Sequence, residues 1–200
     1  MQNSAQRILR IVRRCGIVRP KDVQNEGIAR EDLLRLFRKG ILNRSARGVY
    51  IMADAPVTEH HSLAVAAKQV PRAVICLISA LQFHGLTTQI PHEVWIAIDV
   101  KARRPIVSWP PVKVVRFSGQ ALSAGVEEHT IEGVPVKTYS SAKTVADCFK
   151  YRNKIGIDLA IEALRDALRQ RKATLNEIHR FAKVCRVERV MRPYLESVAS

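Results

Sequence analysis

The 200-residue sequence predicts an α+β protein with helices towards both ends and a small mixed sheet between them. Three observations carry that expectation. Apolar residues recur at helical spacing before residue 40 and after residue 140, β-prone runs with a hairpin signal occupy the middle, and cations crowd the front of the chain.

At 47% hydrophobic and 26% charged residues, the composition is that of a core-forming chain rather than a disordered one. A formal net charge of +15 favours a polyanionic partner, nucleic acid first and an anionic membrane surface second. The longest apolar run, around residues 73–81, is shorter than the roughly 20 residues a bilayer requires. Arg7, Arg10, Arg13 and Arg14 interrupt any signal-peptide core, so a cytoplasmic protein is expected. Cys15, Cys76, Cys148 and Cys185 are scattered singly, as reduced thiols would be. His60 and His61 are adjacent, so on a helix they diverge by about 100° and cannot close on one ion. No metal or other cofactor is expected.

Ser4 can cap a first helix from Ala5 to about Cys15, with Ile8, Leu9, Ile11 and Val12 inward, and Gly16 stops it. Pro20 suits the first turn of a second short helix, and Gly27 the sharp turn after it. From Ala29 to Lys39 the spacing is helical again. Leu33, Leu34, Leu36 and Phe37 form the stripe, and Arg30, Glu31, Arg35 and Arg38 fall largely outside it. Gly40 ends that helix, Asn43–Gly48 reads as a turn-rich loop with two arginines, and Val49–Met52 as a returning strand. Helix, turn, helix and basic hairpin make the layout of a winged helix-turn-helix.

Residues 1–52 hold 12 Lys and Arg against 4 Asp and Glu, so about a quarter of the chain carries over half of its excess charge. That concentration points to double-stranded DNA, with the second helix of the motif in the major groove and the wing on backbone or minor groove. The candidate DNA contacts are Arg30 and Arg35 on the polar face of the recognition helix, Arg44 and Arg47 on the wing, and Arg38 and Lys39 for phosphates. Asp54-Ala55-Pro56 reads as a linker, giving a DNA-binding domain over 1–53 and an α+β domain over 57–200.

In the second domain the pattern predicts a helix over Thr58–Val70, a buried strand-like run over Ala73–Ile78, and a short helix capped by Ser79. Strands follow at Val94–Ile98 and Val112–Phe117, then a hairpin of Val126–Ile131 and Val134–Tyr139 around Glu132-Gly133. Ser140-Ser141 caps a helix through about Arg152. Ile157–Gln170 is amphipathic, Thr174-Leu175-Asn176-Glu177 is a capping box, and the last helix, Glu188–Val198, should kink or restart at Pro193. His84 and Trp95 read as packed residues, and Trp109 as loop packing.

Several stretches resemble a known family. Arg47-Gly48-Val49-Tyr50, the run from Ser79 to Thr87 with Pro91 after it, Ser141–Asp147 and Gly156–Arg165 together look like the AbiEi antitoxins of type IV toxin-antitoxin systems. The resemblance implies a winged helix that represses its own operon by binding the operator, and a second domain needed for antitoxicity. It also implies a nucleotidyltransferase toxin, counteracted without a stable complex, and leaves the oligomeric state open. Lys143 stands where the family pattern leads one to expect arginine.

Two other classes compete. Asp99-Val100-Lys101 has the acid-x-Lys spacing of metal-dependent nucleases. That site needs a further carboxylate, and between Glu59 and Glu93 there is none. Glu93 itself lies about 20 Å along the same strand at roughly 3.3 Å per residue. The other is a winged helix that binds protein, which a weak salt dependence would distinguish.

Overall fold

The computed structural model describes residues 4–199. Three helices open the chain: α1 (Ser4–Cys15), α2 (Pro20–Asn25) and α3 (Arg30–Arg38). Ile8, Ile11 and Val12 of α1 meet Val23, Leu33 and Leu36 in a small core, closed from below by Leu42 and Tyr50. Leu9 is only half-buried at its edge. The Asp22 carboxylate accepts the Arg19 N–H at 2.7 Å and so fixes the entry to α2. Gly27, at φ +71, supplies the left-handed turn between α2 and α3 that other residues adopt at a cost.

The wing is more regular than its composition suggests. Its strands are β1 (Leu42–Ala46) and β2 (Val49–Met52), antiparallel, with Leu42 opposite Met52 and Arg44 opposite Tyr50. The expected loop over 43–48 therefore shrinks to the turn Arg47-Gly48, because backbone pairing with a β-prone partner outweighs the turn preference of Asn43 and Ser45. The register slips between Arg44 and Ala46, which marks a bulge. Val18 adds a bridge to Tyr50 through two backbone bonds of 2.9 and 2.8 Å, tying the segment before α2 to the wing.

Beyond the wing come α4 (His61–Gln69), β3 (Val74–Ile75), α5 (Leu77–Phe83), β4 (Val94–Asp99), β5 (Val112–Phe117), α6 (Gln120–Ser123), β6 (Val126–Ile131) and β7 (Val134–Tyr139). The chain ends in α7 (Ser141–Lys150), α8 (Arg152–Ile155), α9 (Ile157–Arg169), α10 (Leu175–Cys185) and α11 (Glu188–Ala199). Strands β3 to β7 form one sheet in the order β5-β4-β3-β7-β6, with β3 antiparallel to β4 and parallel to β7. Glu132 and Gly133, at φ +50 and +75, make the hairpin turn that the sequence announces.

Some elements depart from the sequence pattern. The run over 73–78 contributes only two strand residues, since Leu77 already begins α5 and the apolar side chains serve a buried helix rather than a strand. Ser79 is not the cap of that helix; within its first turn its hydroxyl accepts the Trp95 N–H at 2.9 Å. The helix expected from Thr58 starts at His61, and α11 runs unbroken through Pro193. The Thr174 capping box is present, with the Glu177 carboxylate accepting the Thr174 N–H at 2.8 Å and the Thr174 hydroxyl accepting the Glu177 N–H at 3.2 Å.

The described chain divides into two compact units. The first runs up to Pro71 and takes in Pro105–Val112 and His129–Val136; the second consists of Arg72–Arg104, Lys113–Glu128 and everything from Lys137 onward. The first unit thus continues past the Asp54-Ala55-Pro56 segment. Lys68 pairs with Asp22 at 3.0 Å, and a carbon placed on Gly16 would collide with the Glu132 carbonyl oxygen. Glu132 also accepts from the Thr58 N–H and hydroxyl, both at 2.8 Å, and meets His61 Nδ1 at 2.6 Å.

That carboxylate confers a pH dependence. Burial, the largest single influence, pushes the Glu132 carboxyl up, but the hydrogen bonds from His61 and Thr58 together outweigh it and hold the group below the usual glutamate range. A folded value below the unfolded one contributes stability that is complete above the unfolded value and lost as pH falls through the folded one. Acid titration of Glu132→Gln should therefore show a shallower loss of melting temperature below about pH 4.5 than wild type, 4.5 being the group's ordinary value. Parallel acid profiles would remove Glu132 from that role.

The second unit is built around α7, whose residues 141–149 are all buried. Ser140 caps it by accepting the Lys143 N–H. Its apolar side chains Val145, Ala146 and Phe149 meet Leu159 and Ala163 of α9, and Ile178 and Ala182 of α10. No helix of the described chain is long and apolar enough to cross a membrane.

Candidate nucleic-acid interface

All six candidate DNA-contacting side chains, Arg30, Arg35, Arg38, Lys39, Arg44 and Arg47, are exposed. The α3 sequence explains half of that. With Leu33 and Leu36 drawn into the core, positions 31, 35 and 38 turn to solvent, while Arg30 stands at the first turn beside the apolar edge. The hairpin explains two more, since Arg44 leaves the exposed face of β1 and Arg47 occupies the turn, while Lys39 caps α3 at its exposed end.

Arg30, Arg44 and Arg47 line one groove of about 600 Å³ on the first unit, with Tyr50 at its floor. Phe37 and Tyr50 stack edge-on at 5.7 Å, and the Arg44 guanidinium lies 6.0 Å from the Phe37 ring centre. The Arg44 guanidinium thus sits at the outer limit of cation–π range, and among the described residues it makes no hydrogen bond. Arg35, Arg38 and Lys39 lie outside the groove. Arg35 pairs with Asp32 at 3.0 Å across one helical turn, with 67% of its side chain exposed, so solvent competes for the pair. At 100° per residue, Arg30 and Arg35 lie about 140° apart around α3, and they cannot approach the same ligand group from one side.

The module's carboxylates are mostly committed elsewhere. Asp22 is taken by Lys68 at 3.0 Å, Glu26 by Arg14 at 3.2 Å and Asp32 by Arg35. Among the described residues, Arg30, Arg38, Lys39, Arg44 and Arg47 form no ion pair, which leaves their charge available to an external anion.

The groove also holds residues that the sequence pattern does not single out. Gln24 of α2 and Gln69 of α4 bring amides to its wall, and Ile106 and Ser108 bring a segment nearly 60 residues away from the wing. Gln69 Nε2 donates to the Trp109 carbonyl at 2.7 Å, fastening that segment. Ile106 is 94% exposed and Trp109 40% exposed, so Trp109 is less packed than its type suggests. An exposed isoleucine between Pro105 and Pro110 is the available signal, but nothing in periodicity places such a loop beside a hairpin.

The nuclease-like spacing has a structural occupation. Asp99 Oδ1 accepts the Lys101 N–H at 2.7 Å, while Arg116 donates to the carbonyls of Asp99, Val100 and Ala102. Among the described residues, no three His, Cys, Asp or Glu side chains are grouped to hold a metal. His84 is half-buried, with Nε2 2.7 Å from the Tyr139 carbonyl. Burial, reinforced by Asp147, pushes the Cys185 thiol up to about 12, making it a hydrogen-bond donor rather than a nucleophile at neutral pH.

Three helices, a β-bridge at Val18 and a two-stranded wing, with cations on helix and wing that form no ion pair among the described residues, define a winged helix-turn-helix module. Over residues 6–53 the chain matches the family described as transcriptional regulator, AbiEi antitoxin, the same family that the sequence resembles. No curated protein matches the chain.

Proposed function

We propose that this protein is a DNA-binding transcriptional repressor that is also the antitoxin of a type IV toxin-antitoxin system. The observation that supports it most is the groove in which Arg30, Arg44 and Arg47 converge without carboxylate partners. On this reading residues 1–53 are the DNA-binding domain, α3 enters the major groove, and Arg44 and Arg47 hold backbone or minor groove. Arg35 reads a base edge from farther along α3, and Arg38 and Lys39, at its C-terminal end, meet phosphates. The target is the operator of the protein's own operon, in the cytoplasm. Residues 57–200 supply antitoxicity against a nucleotidyltransferase toxin, without a stable complex. The family description over residues 6–53 supports the regulator and antitoxin roles in general, and the resemblance in Ser79–Thr87, Ser141–Asp147 and Gly156–Arg165 supports the rest.

One experiment separates the two activities. A full-length Arg30→Ala/Arg35→Ala protein should bind its upstream DNA at least tenfold more weakly in fluorescence anisotropy, since each arginine that reads a base edge contributes about 1–3 kcal/mol. The same variant should still rescue cells expressing the adjacent toxin gene. Unchanged operator affinity in the folded variant would refute the recognition-helix assignment, and loss of rescue would contradict the division of labour.

A further inference from the structure

A second cationic cavity, of about 550 Å³, lies in the other unit, where Lys150, Lys183 and Arg186 converge with Ser118 and Gln120. We propose that it binds the phosphate chain of a nucleotide, a role independent of the DNA-binding reading. Three cations line it and no acidic side chain does. Lys150 closes α7, and its Nζ donates to the Cys185 carbonyl at 2.9 Å, which holds the ammonium in place with two N–H bonds to spare. Lys183 lies 4.0 Å from Glu188, whose carboxylate is engaged by His179 at 3.0 Å.

Cations at the ends of α7 and α10 would also complement the helix dipoles, and that accounts for Lys150 and Lys183. It applies to Arg186 as well, the cap of α10, but does not explain why that position is not glycine. This residue caps α10 in the left-handed region, at φ 59 and ψ 43, where glycine is the low-energy choice and a side chain adds strain. A guanidinium kept at a strained position and turned to a cavity with two ammonium groups is suited to phosphate oxygens, which it can engage with two parallel N–H bonds. The volume accommodates a di- or triphosphate chain, and the Ser118 hydroxyl and Gln120 amide add neutral donors.

The test uses the full chain carrying Arg30→Ser/Arg44→Ser/Arg47→Ser, so that the first unit's groove does not compete for anions. Isothermal titration at 0.15 M salt with inorganic tripolyphosphate, and separately with ATP, should show saturable binding of one ligand per chain. Adding Arg186→Gly should weaken binding tenfold or more while the melting temperature holds or rises by about 2–4 °C, as relief of strain requires. Lys150→Gln should weaken binding as well. Equal affinity for the two probes would assign recognition to the phosphate chain, and tighter ATP binding would add the nucleoside to the contacts. Undiminished binding by Arg186→Gly, or no saturable binding in the parent variant, would overturn the proposal.

Discussion

Replacing Lys143 with methionine is expected to cost about 3–5 kcal/mol of folding stability, because it strands the Asp147 carboxylate in the core. Both side chains are fully buried, and Lys143 Nζ donates to Asp147 Oδ2 at 2.6 Å. The ammonium also lies 4.0 Å from the Tyr139 ring centre and 4.9 Å from that of Phe117. The other carboxylate oxygen accepts the Cys185 thiol at 3.2 Å. Burial pushes the Asp147 carboxyl up, and Lys143 is the first of the groups that oppose it. Removing Asp147 alone, as in Asp147→Leu, should be comparably harmful. The double variant Lys143→Met/Asp147→Leu should be destabilised by far less than the sum, since two apolar groups of similar volume leave no unpaired charge. Urea unfolding of the four proteins measures the cycle, and additive effects would show that the pair is not coupled.

The largest effect on binding is expected from Arg30→Ala/Arg44→Ala/Arg47→Ala. Each of the three lines the groove and is exposed, so their removal should leave the fold intact while deleting its charge. At about 1.5 kcal/mol per charge-assisted hydrogen bond, removing three weakens duplex binding roughly a thousandfold. Circular dichroism would check the fold and anisotropy the affinity. An unweakened variant would move the interface elsewhere on the protein.

Much of this architecture is legible from spacing, for reasons that differ by region. The α3 stripe, the Glu132-Gly133 turn, the Thr174 box and strands such as Val112–Phe117 are set by local chemistry, which one sequence displays. Strand β3 is harder to read, because a continuous apolar run serves a buried strand and a buried helix equally, and only the chain around it decides that Leu77 opens α5. The wing cations are evident as residues. That Arg30 converges with Arg44 and Arg47 depends on where α3 meets the hairpin, whereas the Arg35–Asp32 pair is set within α3 by its i,i+3 spacing. The Lys143–Asp147 pair follows i,i+4 spacing, but such pairs are usually solvated, and its burial comes from helices on every side of α7. Ile106 reaches the groove by tertiary placement alone.

On the proposed function, exposed cations of the first unit hold the phosphate backbone of a duplex. Measuring the wild-type dissociation constant for operator DNA across salt concentration tests it most directly, since each phosphate neutralised adds about 0.9 to the log-log slope. Phosphate contacts by Arg44 and Arg47 alone predict a slope of about −1.8 or steeper, flattened by about that amount in the triple variant. A slope near zero, or one that the triple substitution leaves unchanged, would contradict it.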